Sequence, residues 1–371
     1  MKKIFKLFAL LAMLTACAAC EGEPSNGDEN DEFLSGSISL LSNHDIIRSN
    51  GTDEATLTVL LTDDGGIIHD VTAQAEIYLS TSEEPMAGNK FATSQEGRHT
   101  LYALYGLAVS NNLEIKAVGG ISDTPTDSNA SSTDFSHRLL AIQHTGTGCP
   151  NCPALMNNLK RVSEDANYAS KYYHIASHSY NADDKAYSSS AAMLSGELNV
   201  HSYPWISFNF VAAKSYLGDI ENIKSCIDLF HEESARVGIS AASNVIDGTI
   251  YANINIKAAE AGNYRVGMWV LEDNIYSTQA SATASWQNNH NNCLREMAGK
   301  NKNERLYGKS VGMVAAGAQM GTIISAEVNS EWYLGNCKLL FFVATDDGNG
   351  GLELVNSILC PVGESVGYAY N

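Results

Sequence analysis

Apolar and polar positions alternate in short bursts along the first third of the chain. In Ala55-Thr-Leu-Thr-Val-Leu-Leu-Thr62 the apolar residues fall mostly at every second place, and Asp63-Asp64-Gly65-Gly66 follows with turn chemistry. Val71 to Leu79, Arg98 to Tyr105 and Leu113 to Val118 continue the alternation. Short strands separated by turn signals predict a β-sandwich over residues 36–119. Residues 120–136 lose any period and are rich in Ser, Thr, Asp and Asn, with Pro125, which predicts a linker.

Over residues 137–237 the period changes. Leu139-Leu-Ala-Ile142 reads as a short buried strand, and a glycine-containing turn leads from it into Cys149-Pro-Asn-Cys152-Pro153. Leu155, Leu159 and Val162 then repeat at helical spacing, and proline in the first turn suits a helix start because its missing N–H would be unpaired anyway. Tyr172 to Ala176 reads as a second strand. Asp183 to Val200 reads as a helix capped by Asp183 or Asp184, with Tyr187, Ala191, Leu194 and Leu198 on one face. Trp205 to Phe210 reads as a strand directly after Pro204, and Asp219 to Arg236 as a helix. The order β, α, β, α, β, α predicts an α/β layer. Residues 238–371 return to strands. Ile250, Ala252, Ile254 and Ile256 alternate, as do Tyr264, Val266, Met268 and Val270, and a hairpin turn at 346–351 joins Leu339–Ala344 to Leu352–Leu359. A C-terminal β-sandwich is the expectation.

Ahead of these regions, Lys2, Lys3 and Lys6 precede and interrupt an apolar run from Ile4 to Leu14 that is too short to span a bilayer. This predicts a signal peptide over residues 1–16. Leu14-Thr-Ala-Cys17 resembles the lipobox of bacterial lipoproteins, which implies cleavage before an acylated Cys17; Cys20 is the alternative. Residues 17–35 predict a flexible tether, six of whose residues from Glu21 to Glu32 are acidic. Acid just after an acylated cysteine resembles a surface-export signal of Bacteroidetes lipoproteins.

Charge narrows the function classes. Lys and Arg number 23 against 42 Asp and Glu, a net charge of −19, so nucleic acid and anionic headgroups are unfavourable partners. Eight cysteines in 371 residues do not make a disulfide-dense miniprotein.

Cys149 and Cys152 carry the strongest chemical signal. Two thiols at this spacing on a helix start are close enough to form a small disulfide ring, and the helix N-terminus favours a thiolate by about 1 kcal/mol. His144 is the nearest candidate cation in sequence. A metal site would need two more ligands, and Cys226, Cys293, Cys337 and Cys360 show no paired spacing. No histidine follows Cys152, which excludes covalent haem attachment. A redox pair, a structural disulfide and a metal site stay open, with the redox pair leading; no cofactor and no metal are expected. His178 at a strand end reads as a hydrogen-bonded histidine, His290 and Cys293 as part of an Asn-rich surface loop, and Cys226 as a small hydrophobe. Cys337 and Cys360, near strand ends, are candidates to pair.

"NGTDEATLTVLLTDDGG" resembles a bacterial immunoglobulin-like domain. The order of elements around Cys149 resembles the thioredoxin fold, which implies a cis-proline loop beside the dithiol; Tyr203-Pro204 occupies that place and implies a substrate-strand support. Three departures stand out. Gly148 replaces the tryptophan before the first cysteine, Gln143 stands where the buried acid falls, and Pro-Asn replaces the usual Gly-Pro between the cysteines. "HTGTGCPNCPALMNNLKRV", His178, "HSYPWISFNF" and "NNHNNCLREM" together resemble the outer membrane protein twenty-eight (Omp-type) family of Bacteroidetes lipoproteins. The resemblance implies a thioredoxin-like domain and an outer-membrane location, without an established reaction. The expected architecture is therefore multidomain: an immunoglobulin-like sandwich, a thioredoxin-like α/β domain (137–237) and a C-terminal β-sandwich (238–371). The leading functional expectation is thiol–disulfide exchange on envelope protein or peptide thiols, with Cys149 attacking and Cys152 resolving. The competing one is a non-enzymatic surface binding or scaffold lipoprotein with a structural disulfide.

Overall fold

The computed structural model describes residues 33–211, 219–348 and 351–371. The signal segment, Cys17, Cys20 and the tether up to Glu32 lie outside the described residues. The chain divides into two compact units, one built on residues 54–92 and 98–116 with the described residues up to Asp45, the other holding 46–53, 93–97 and the described residues from Ala117 onward.

The strands before residue 120 are β1 (Gly36–Ser42), β2 (Ile46–Arg48), β3 (Ala55–Asp63), β4 (Ile68–Asp70), β5 (Glu76–Leu79), β6 (Lys90–Phe91), β7 (Gly97–Tyr105), β8 (Ala108–Val109) and β9 (Leu113–Val118). In the first unit β1, β3 and β4 form one antiparallel sheet, with β6 on β3, while β9, β7 and β5 lie side by side in another. The period-2 pattern gives the inner face: Ala55, Leu57, Val59 and Leu61 of β3 and Leu101 and Ala103 of β7 are fully buried. The strand expected from Val71 begins only at Glu76, because the Gln74 and Ala75 amides both donate to the Val71 carbonyl and make a turn.

The second unit continues with β10 (Leu139–Thr145), α1 (Cys152–Ser163), β11 (Tyr172–His178), α2 (Ser189–Glu197), β12 (Trp205–Phe208) and α3 (Ile220–Phe230). Then come β13 (Val237–Ile246), β14 (Thr249–Ala258), β15 (Gly262–Glu272), β16 (Ile275–Tyr276), β17 (Asn289–His290), β18 (Cys293–Met297), α4 (Lys302–Tyr307) and β19 (Lys309–Val314). The last strands are β20 (Gln319–Glu327), β21 (Cys337–Asp346), β22 (Leu352–Pro361) and β23 (Ser365–Val366).

Residues 137–237 and 238–371 share one sheet, ordered β12-β10-β11-β18-β15-β21-β22 with β19 on β15. β10 runs parallel to β11 and antiparallel to β12. The two halves join where Ala176 of β11 lies opposite Cys293 of β18. A second sheet, β20-β14-β13-β23, packs against β15, β21 and β22 through Ile239, Ile254, Met268 and Phe341. On the other face of the large sheet Trp269, Leu340 and Phe342 meet Leu140, Ile142 and Ile175 and the apolar residues of α2. This burial on both sides explains the unbroken apolar run Leu339-Leu-Phe-Phe-Val343. The helices α1 and α3 cover the opposite face of β10, β11 and β12 through Leu155, Leu159, Ile223 and Ile227.

Three expected boundaries move. α2 starts at Ser189 rather than Asp183, with the Ser188 hydroxyl accepting from the Ala191 amide, because the Asp184 carboxylate is engaged in the preceding turn. α3 is capped by Asp219, but the chain leaves the helix after Phe230, short of the expected Arg236, and Ala235 bridges to Phe135. β12 ends at Phe208, since Asn209 adopts a left-handed backbone and its side-chain oxygen accepts from the Leu140 amide in place of a strand partner. The segment read as a linker is docked on the second unit: Asp127 and the Ala130 carbonyl receive the buried Lys257 ammonium at 2.9 and 2.8 Å, and the buried Phe135 stacks on Tyr370.

Candidate functional site

β10 ends at Thr145, and residues 146–151 carry the chain from the sheet edge to α1. Cys149 and Cys152 form a disulfide with their Cα atoms 5.4 Å apart. Both cysteines are buried, which an attacking Cys149 would not be: Cys149 is 1% exposed and Cys152 0%. Around them the loop backbone is held from several sides. The Cys149 amide donates to the Gly146 carbonyl at 3.0 Å. Thr147 donates its amide to Asp184 Oδ2 at 2.8 Å, and Gly148 donates to Asn181 Oδ1 at 3.3 Å. Gly146 is a glycine for a physical reason, since a Cβ there would lie 2.5 Å from the Cβ of Tyr180.

The segment between β16 and β17 closes the other side. The amide nitrogen of the buried Gln279 donates to the Cys149 carbonyl at 2.9 Å and lies within 3.3 and 3.4 Å of the Thr147 and Gly146 carbonyls, while the Ala280 amide donates to Thr147 at 2.7 Å. Gln287 donates to the Pro153 carbonyl at 3.0 Å in the first turn of α1. The carbonyl oxygen of Gln279 is itself buried and finds no partner among the described residues.

The Tyr203–Pro204 peptide is cis. Trp205 pairs with His144, so Pro204 stands at the same end of the sheet from which the dithiol loop departs. The loop after β11 touches both: Tyr180 lies against the dithiol loop and meets Tyr203 edge-on at 5.2 Å between ring centres, and Ser179 Oγ lies 3.0 Å from the Tyr203 hydroxyl.

The expected neighbouring cation does not face the pair. His144 points to the other face of the sheet, within 2.8 and 3.1 Å of the Ser195 and Ser207 hydroxyls, and burial pushes its imidazole down to about 3, so it is neutral. His178 Nδ1 donates to Asp184 at 2.7 Å with both side chains buried. Burial pushes the Asp184 carboxyl up, but the His178 hydrogen bond and charge and the amides of Ala186 and Thr147 outweigh it and hold the group at about 2. A carboxylate therefore anchors the dithiol loop, supplied by a residue that the periodicity assigned to a helix cap.

His290, expected on a surface loop, is buried with its Nε2 3.1 Å from the Ser277 carbonyl and its ring 4.8 Å from that of His178. Cys293 is buried at the junction of the two halves, and burial raises its thiol well above the usual range. Cys337 and Cys360 are free thiols. Leu339 lies opposite Cys360, which places Cys337 on the diagonal, too far for a disulfide. Cys226 is half-buried on α3. Among the described residues no group of three or more His, Cys, Asp or Glu side chains is arranged to hold a metal ion, and no helix is long and apolar enough to cross a membrane.

Beside the disulfide, between α1, β10, β11 and residues 286–292, lies a cleft of about 300 Å³. Sequence reading missed it, although a signal was present. Gln143 and Thr145 on β10, and Tyr172, His174 and His178 on β11, fall at every second place and so share the face that α1 covers. A polar stripe on a sheet face beneath a helix is a cleft in waiting, since buried polar groups need partners.

The fold and site define a β-rich chain of several sheets carrying a disulfide at C-x-x-C spacing. No family model and no curated protein matches it. Among solved structures it is similar to HBP35 of Porphyromonas gingivalis, with a TM-score of 0.52 and 14% identity over 62% of this chain and 77% of that one. The adhesin InvE of Yersinia pseudotuberculosis also aligns, at 10% identity over 90% of this chain and 61% of that one, but its TM-score of 0.18 bears no weight.

Proposed function

We propose that this chain is a non-enzymatic, lipid-anchored cell-envelope protein of the binding or scaffold kind, in which a thioredoxin-like domain keeps its cysteine pair as a structural disulfide. The observation that carries this reading is the closure of the dithiol loop. Exchange requires an external thiolate to reach a sulfur in line, and Cys149 sits 1% exposed beneath the Gln279 segment. Chemistry points the same way. No cation faces the pair from His144, Gln143 stands where a deprotonating acid would be needed, and Asp184 brings negative charge to the same loop.

The thioredoxin-like assignment draws on the order of β10, α1, β11, α2, β12 and α3, with β12 antiparallel to its neighbour, and on the place of Pro204 beside the loop. Membership of the outer membrane protein twenty-eight (Omp-type) family draws on the residues around Cys149, Pro204 and Cys293. The envelope location draws on the lipobox and the acidic stretch behind it. An immunoglobulin-like spacer is the matching reading of the N-terminal unit.

A trapping experiment separates this from the exchange enzyme. A Cys152→Ser chain expressed in the envelope should form no mixed disulfides through Cys149. Recovery of defined envelope proteins linked to Cys149 would overturn the reading. Fatty-acid labelling lost in Cys17→Ala and kept in Cys20→Ala checks the anchor.

A further inference from the structure

We infer that one end of the first unit inserts its loop tips into the outer apolar layer of a neutral lipid bilayer. The inference rests on the lipid anchor of the proposed function and adds a second, direct membrane contact to it. Among the described residues the first unit exposes five large apolar side chains: Phe33 at 52%, Leu34 at 49%, Ile67 at 61%, Leu107 at 103% and Val109 at 63%. All five lie at the same end. Single exposed apolar residues are ordinary, but a unit that gathers all of its own at one end marks a contact surface.

The strand pairings place them together. Gly36 lies opposite Asp63, so the start of β1 and the turn after β3 share this end, and the Ser35 hydroxyl donates to Asp64 of that turn at 2.8 Å. Ile67 closes the same turn. Ala108 lies opposite Tyr105 in the β7–β8 hairpin. The Phe33 ring meets Tyr105 edge-on at 4.9 Å between ring centres, and the Leu34 amide donates to the Tyr105 hydroxyl at 3.4 Å. Gly106, at a φ of 58°, opens the two-residue hairpin turn and Leu107 completes it. Turn tips ordinarily carry Gly, Asn, Asp or Ser, and here a fully exposed leucine stands at the apex. Glu76 lies opposite Leu104, so the loop that follows Leu79 belongs to the other end, and it exposes Ser82, Glu83 and Glu84 in the usual way.

What covers this end follows from where the chain enters it. The segment that carries the expected acylated cysteine reaches the unit at Phe33, in contact with the hairpin tip. Even fully extended, the chain from Cys17 to Phe33 spans no more than about 55 Å. Anchoring therefore makes the second contact intramolecular, and tips too weak to bind alone engage the surface. The segments 33–36, 63–67 and 105–109 hold no Lys or Arg; their charged residues are Asp63, whose carboxylate lies 2.8 Å from His69 Nε2, and Asp64. The attraction is thus apolar rather than electrostatic, and the net charge of −19 makes neutral lipid a better surface than anionic lipid. Side chains protruding from three separate turns suit a soft apolar medium, whereas a rigid protein partner would need a matching pocket for each. The insertion is interfacial, because the turn backbone must keep its contact with water.

The test uses a chain in which a hexahistidine tag stands in place of residues 1–20, held on nickel-chelating vesicles of phosphatidylcholine doped with a diazirine-bearing phosphatidylcholine. Illumination followed by mass spectrometry should place lipid adducts on residues 33–36, 63–67 and 105–109 and leave 80–89 bare. Leu107→Asp combined with Ile67→Asp, both at exposed positions that the fold does not depend on, should cut that labelling by about tenfold or more. Absence of adducts at the tips, labelling spread equally over both ends, or labelling unchanged in the double variant would overturn the inference. So would self-association of the vesicle-free chain that Leu107→Asp abolishes, which would assign this end to a second copy. The tag substitutes for the natural anchor, so these outcomes do not depend on acylation. Tip labelling here, with no fatty acid found on Cys17 or Cys20 of the natural chain, would overturn the anchor alone.

Discussion

The dithiol loop and the cleft beside it sit at neighbouring ends of the same two strands, yet they treat their polar groups in opposite ways. In the loop the amides of Thr147, Gly148 and Cys149 and the carbonyls of Gly146, Thr147 and Cys149 all have partners, drawn from Asp184, Asn181, Gln279 and the loop itself. In the cleft Gln143, Thr145 and Tyr172 keep buried polar atoms without any among the described residues. A saturated site has nothing left to offer a partner and reads as architecture. Orphaned side-chain atoms occur on both sides, since Gln279 Oε1 over the loop also lacks a partner among the described residues, so the contrast lies in how completely the loop's backbone groups are held.

Mutations should separate the two regions by the sign and size of their effects. The largest loss belongs to the loop. Replacing both cysteines, Cys149→Ala with Cys152→Ala, should lower unfolding free energy by about 2–3 kcal/mol in urea titration, the value for a short closed ring plus some lost packing. Next comes Asp184→Asn, at about 2 kcal/mol near neutral pH. The sign follows from its depressed folded value of about 2. The carboxylate's contribution is complete above its unfolded value of about 3.9 and disappears as pH falls through about 2, so wild type and variant should converge in acid. Gln279→Leu removes the donor to the loop carbonyls and should cost about 1–2 kcal/mol, visible as a lower midpoint at unchanged slope. The smallest effect belongs to the cleft. Tyr172→Phe deletes a buried hydroxyl that has no partner and should leave stability within about 0.5 kcal/mol of wild type or raise it. A Tyr172→Phe loss as large as that of Gln279→Leu would erase the contrast.

How far the residues announced this arrangement depends on whether the signal was local. Strands with plain alternation, such as Ala55–Thr62 and Leu113–Val118, were legible because one face is buried and the other is not. The helix after Cys149 was legible from Leu155, Leu159 and Val162, all buried against the sheet. Asp184 was misread because a carboxylate before a helical pattern satisfies the rule for a cap, and only the fold shows Thr147 competing for it. The common sheet of residues 137–371 was hidden because its joint is a single pairing, Ala176 opposite Cys293, between segments far apart in the chain. Gln279 and Gln287 carry no motif at all. They matter only because β16 and β17 bring their segment over the disulfide.

The burial of Cys149 and Cys152 shuts their disulfide away from solvent chemistry. The most direct measurement is the rate at which dithiothreitol reduces it in the native protein, followed by trapping with a thiol-specific alkylator and mass spectrometry. Reduction should track unfolding: slow in native buffer, accelerated by urea in step with the unfolding transition, and accelerated by Gln279→Leu. Fast reduction in native buffer, insensitive to urea and to Gln279→Leu, with Cys149 alkylated ahead of Cys152, would contradict it.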